Sequence, residues 1–103
     1  MKTLILNRYS EDPTRYDYCN GSYAIVLTSD IDVKVGDVIE YRDDSDQHDI
    51  SISHVKTMTV VRILDEPYKY YCVQTGELHN RENTIRQDVI ARVSEIKIVF
   101  SSN

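Results

Sequence analysis

Val33-Lys34-Val35-Gly36-Asp37-Val38-Ile39-Glu40-Tyr41-Arg42 is the stretch whose reading decides the fold. A glycine–aspartate pair interrupts an alternation of apolar and polar residues, which predicts a turn followed by a strand from about Asp37. In that strand Val38 and Glu40 share one face, and Ile39 and Tyr41 share the other. Gly36 suits a turn position that requires positive φ, and the Asp37 carboxylate can cap the turn.

Upstream, Ser22–Thr28 is a strand with Tyr23, Ile25 and Leu27 on one face and Ala24 and Val26 on the other. A strand that is apolar on both faces is expected to be central and buried. Lys2–Leu6 is a short first strand. Between them lies a long polar segment, Asn7 to Gly21, holding Pro13, the turn pair Asn20-Gly21, and Tyr9, Tyr16 and Tyr18. Loops of that length are functional or are held down by their own aromatics.

Downstream, the polar run from Asp43 to Asp49 is an exposed loop. Alternation from Ile50 through Leu64 predicts one long bent strand, or two with a bulge near His54–Lys56. Asp65-Glu66-Pro67 ends it, Lys69–Thr75 reads as its hairpin partner, and Gly76 opens a second polar loop from Glu77 to Asn83. A short helical turn at about Thr84–Gln87 and a strand from Val89 to Phe100, bulged near Ser94-Glu95, complete the chain. With only two alanines against many Val, Ile, Thr and Tyr, strands are favoured throughout. The expected fold is mainly β: a small barrel or strongly coiled antiparallel sheet of about six strands, with at most one short helix, in a single domain over residues 1–103.

Composition bounds the function. No apolar run approaches the roughly 18 residues of a membrane span, the longest being Ala24-Ile25-Val26-Leu27. The N-terminus has too short an apolar stretch for an export signal, so a cytoplasmic protein without a membrane partner is expected. The cysteines, Cys19 and Cys72, have no ligand spacing and are expected to be reduced thiols. The net charge of −5 argues against delocalised binding along a phosphate backbone and admits a basic partner.

No metal site is expected. Asp43, Asp44, Asp46 and Asp49 lack the glycine and distal glutamate of a calcium loop, and His48, His54 and His79 form no ligand pair. The three glycines are scattered, so no phosphate cradle or cofactor is expected. The aromatic content is distinctive, with eight tyrosines, one phenylalanine and no tryptophan. Tyrosine suits surfaces that are apolar in body and wet at the tip, and it can also stack bases. Tyr9, Tyr16, Tyr18, Tyr68 and Tyr70, with Arg81, are therefore the candidate binding residues, and Arg8, Arg15, Lys69 and Arg86 are further cations near them in sequence.

Ser29 through Tyr41, then Gly76-Glu77, then Asp88-Val89-Ile90-Ala91-Arg92-Val93 follow one another in an order that resembles signal peptidases and self-cleaving SOS repressors. The resemblance implies a coiled β scaffold and, as candidate catalytic residues, Ser29 as nucleophile with a neutral Lys56 taking its proton. The chain departs from that pattern where Asp30-Ile31-Asp32 follows Ser29, at Glu77, and at Ala91. The segment Val35-Gly36-Asp37-Val38-Ile39-Glu40-Tyr41-Arg42 also resembles strand openings in PUA- and ASCH-type barrels, which implies RNA or nucleotide binding. The first expectation is a small non-enzymatic interaction module, an accessory or inhibitor protein of bacterial or phage type acting on a protein partner. The second is a nucleic-acid or nucleotide-binding barrel, which clustering of the arginines with tyrosines on one face would favour. The third is a serine–lysine peptidase. A free edge strand would allow a homodimer.

Overall fold

The computed structural model describes residues 1–9, 22–42, 55–72, 74–82, 84 and 87–101. Among them are nine strands: β1 Lys2–Arg8, β2 Ser22–Leu27, β3 Val38–Arg42, β4 Val55–Leu64, β5 Tyr70–Cys72, β6 Glu77–His79, β7 Asp88–Val89, β8 Ala91–Val93 and β9 Ile96–Phe100. Six form one sheet in the order β8-β2-β1-β4-β3-β9, and a smaller sheet has the order β6-β5-β7. The mainly β, barrel-like expectation holds, and no helix occurs among the described residues. No helix there is long and apolar enough to cross a membrane.

The opening stretch folds as its residues dictate. Gly36 takes φ 98°, and the Asp37 amide donates back to the Lys34 carbonyl at 3.1 Å. The Lys34 amide in turn donates to Asp37 Oδ2 at 2.9 Å. Asp37 is only 2% exposed, so its carboxylate caps the turn from within the fold. Two bonds dock this turn on β4, Gly36 N–H to Val60 O and Val60 N–H to Asp37 O, both 2.8 Å.

Alternation then sorts side chains between two layers. Leu4, Leu6, Ile25, Leu27, Ile39, Tyr41, Met58 and Val60 point inward and build the main core, joined by Val33 and Val93. On the outer face of β1 and β2, Ile5, Ala24 and Val26 meet Tyr71 and Leu78 of the smaller sheet and the flanking Tyr68 and Ile90. β2 is therefore buried on both faces, as its sequence requires.

A short link shows that the large sheet is curled. β8 and β9 are its two edges, yet only Ser94 and Glu95 separate them in the chain. From Val93 to Ile96 is three residue steps, at most about 11 Å. Five interstrand spacings in a flat sheet would require about 24 Å. The sheet must curl until its edges approach, and Val93, Ile96 and Ile98 do meet in one core.

Four details differ from expectation. Lys69–Thr75 is not the hairpin partner of β4, because β1 and β3 occupy both its edges. Instead the Thr3 hydroxyl donates to Glu66 O at 2.6 Å and accepts from the Tyr68 amide at 3.1 Å. That clamp carries the chain onto the outer layer, where β5 pairs with β6 and β7. Second, Glu77–His79 is a strand, formed by a hairpin in which Gly76 takes φ 71°. Third, Val89 to Phe100 is three strands split between two sheets; β8 runs parallel to β2, and β9 antiparallel to β3. Fourth, the irregularity of β4 lies at Val61, where Ile5 pairs with Arg62 and Leu6 with Val60. That extra residue resets the alternation, so Arg62 stays exposed and Ile63 packs on the core. His54, the 43–49 loop, and Ile85 and Arg86 of the expected helical turn lie outside the described residues.

Candidate ligand-binding site

The inner stripe that forms the core changes character at one end of the sheet. Arg8 follows Leu6 by two residues, Tyr23 precedes Ile25 by two, and Lys56 precedes Met58 by two. By the period of two, all three lie on the inner face at the end of its apolar stripe. β1, β2 and β4 are adjacent, with Leu6 opposite Tyr23 and Arg8 opposite Met58. Lys56 is opposite Tyr41 on β3.

There a cleft of about 350 Å³ opens, lined by Arg8, Tyr9, Tyr23, Lys56, Thr57 and Met58, with Val55 at its rim. Met58, 2% exposed, is the apolar floor. Lys56 Nζ lies 5.1 Å from the centroid of the Tyr23 ring, a cation–aromatic contact. The Tyr9 amide donates to Thr57 O at 3.2 Å, and the Tyr9 ring stands 5.9 Å from that of Phe100. The cleft thus gathers two cationic residues, Arg8 and Lys56, with Tyr9, Tyr23 and Thr57. Its lining among the described residues includes no carboxylate, imidazole or thiol.

The residues singled out in the sequence are divided by the fold. Tyr9 belongs to this cleft. Tyr68 belongs to the second layer: its ring packs beside Val26 and Tyr71, and its hydroxyl is 3.3 Å from Glu66 Oε2. Tyr70 is half-buried in the small sheet with Lys69 Nζ 5.2 Å from its ring centroid. Arg81 is exposed just beyond β6. Tyr16, Tyr18, Arg15, Arg86 and Cys19 lie outside the described residues.

Ser29 and Lys56 are not brought together. Lys56 sits over Tyr23 near the start of β2, and Ser29 lies past its end, beyond Thr28, whose amide donates to Val93 O at 2.9 Å. Tyr23 to Leu27 alone spans about 13 Å of strand. The Ser29 hydroxyl oxygen is shielded and has no hydrogen-bond partner.

A second, more open cleft of about 330 Å³ lies between the layers, lined by Arg62, Leu64, Tyr68, Leu78 and His79 among others. His79 Nε2 is 3.4 Å from Glu77 Oε2. No cluster of three or more potential metal ligands occurs among the described residues. Cys72 is a free, buried thiol. Hydrogen bonds from the Thr75 hydroxyl and amide hold it below its usual range, outweighing the desolvation that would raise it.

Sequence reading missed Tyr23 and assigned Lys56 to a different task. The signal was present: each replaces an apolar residue at the last inward position of an otherwise apolar stripe. No known protein family, curated protein or solved structure matches the chain.

Proposed function

We propose that the protein is a binding module of the nucleotide- or nucleic-acid-binding kind, with its site in the cleft at the end of the sheet. The observation that carries this reading is the convergence of Arg8 and Lys56 with Tyr9 and Tyr23 in one concavity. Cations answer a phosphate, rings answer the flat face of a base, and a floor at Met58 excludes water beneath it. The volume lies within the roughly 300–1,000 Å³ usual for small-ligand sites. Of the tyrosines expected to form a docking surface, Tyr9 lies at the end of the large sheet and Tyr68 and Tyr70 at the smaller one, while Tyr16 and Tyr18 lie outside the described residues.

The test is a titration of the isotope-labelled protein with nucleotides and a short single strand, followed by amide shifts. Arg8, Tyr23 and Lys56 should move together, and Lys56→Gln should weaken binding about tenfold, the cost of one charge-assisted contact. If no nucleotide or strand moves these amides, the reading is wrong.

A protein-interaction reading keeps one observation in its favour. Edge strand β9 carries Phe100, 52% exposed, beside exposed Val99. A second copy paired antiparallel along this edge would cover both. Sedimentation showing a monomer at all concentrations would remove that reading.

A further inference from the structure

We infer that the cleft recognises a single nucleotide through a terminal phosphomonoester, as a nucleoside monophosphate presents it, and does not track a nucleic-acid strand. This rests on the reading above, that the cleft binds nucleotides.

Size is the first reason. At about 350 Å³ the cleft is near the lower end of the roughly 300–1,000 Å³ range of ligand sites, with room for one base and its phosphate. Single-strand binders instead offer a positively charged groove that follows the backbone over about 4–16 nucleotides per fold.

Charge is the second. A strand needs a basic path leading away from the first nucleotide, and most of the other described cations lie away from the cleft, Arg42, opposite Val55 at the end of β3, being the exception. Lys97 lies on edge strand β9 and Arg92 on the opposite edge, β8. Arg62 and Lys69 lie on or beside the outer layer, and Lys34 precedes the turn at the other end of β3. The whole chain carries −5, which further penalises a polyanion.

The third reason is the placement of two cationic side chains on one face of the cleft, which suits a doubly ionised terminal phosphate better than an internal one. A phosphomonoester bears about −1.5 to −2 near neutral pH, with its second ionisation near pH 6; an internal phosphodiester bears one charge. Arg8 is opposite Met58, and Lys56 is two residues along the same face, roughly 7 Å of strand. Long side chains from those positions converge on one phosphate. The Tyr23 ring, on the same face, then meets the base.

Calorimetric titration of the full chain tests this with four probes: nucleoside 5′-monophosphates, the matching nucleosides, ribose 5-phosphate, and an octanucleotide with no terminal phosphate. The monophosphates should bind at least tenfold more tightly than each of the others. Their affinity should rise as the pH passes upward through about 6, because the second ionisation makes the phosphate a stronger partner for the cationic side chains of the cleft. Arg8→Gln and Lys56→Gln should each abolish most of the advantage over the nucleoside. An octanucleotide that binds as tightly as the monophosphates, with shifts at Arg8 and Lys56, would overturn the inference and leave the reading above intact. Ribose 5-phosphate binding equally well would overturn the role given to the base. Failure of every probe would overturn both the inference and that reading.

Discussion

Gly36 and Asp37 show how much one turn settles. Gly36 is held at φ 98°, a region that costs an ordinary residue roughly 1–2 kcal/mol. Gly36→Ala should therefore lower unfolding free energy by about 1–2 kcal/mol in urea titration; an unchanged midpoint would show that the turn relaxes freely. Asp37 was readable as a cap, and its carboxylate does accept from Lys34 N. Its near-complete burial was not readable, because that depends on where β4 lies. Thr75 donates to the Cys72 sulfur through both its hydroxyl and its amide. Its donors favour the Cys72 thiolate, so the interaction stabilises the folded chain above the ordinary thiol range and fades as pH falls through the lowered value. Thr75→Val should move the Cys72 titration upward in pH, followed by the carbon-13 shift of its Cβ. A downward move would contradict the assignment of Thr75 as the chief cause.

At the level of the element, the strands with long apolar alternation were legible, and the short ones were not. β1, β2, β3 and β4 announce themselves because each has inward residues spaced by two. β6 and β7 have too few residues to show a period, and exist because β5 lies between them as a template. The bulge of β4 was also invisible locally. An unbroken alternation would have turned Arg62 inward and Ile63 outward; the extra residue at Val61, set against Ile5 and Leu6, prevents it. Deleting Val61 should regularise the ladder and leave every inward residue inward, at a cost of at most about 1–2 kcal/mol. Deleting Thr59 instead shifts the start of β4 by one residue, which turns Met58 outward and displaces Lys56 from the cleft. That variant should lose at least about 3 kcal/mol, the scale of emptying a core position. Thermal melts of the two deletions compare them directly, and equal losses would mean that the bulge does not set the phase. The same rule explains the candidate site: Arg8, Tyr23 and Lys56 were legible as polar residues, but their convergence needs three strands in register.

For the molecule as a whole, curling is the step that joins fold to site, since a flat sheet would leave the cleft without walls. Two causes can hold the curl: the short tether between β8 and β9, or the packing of β9 side chains on the inner core. Ile96 and Ile98 pack there beside Ile39, Tyr41 and Val93, so packing should dominate. Lengthening a connection is cheap, about 0.6 kcal/mol for each doubling. Insertion of Gly-Ser-Gly-Ser between Ser94 and Glu95 should then cost less than about 1 kcal/mol and leave ligand binding in the cleft unchanged. Ile98→Ala, which removes part of the seam, should cost about 1–3 kcal/mol, a half-buried share of the usual loss for a core isoleucine. The comparison is made by urea unfolding of both variants alongside their affinity for the same ligand. If the insertion proves the more damaging of the two, the tether bends the sheet and the apolar contacts of β9 follow from it.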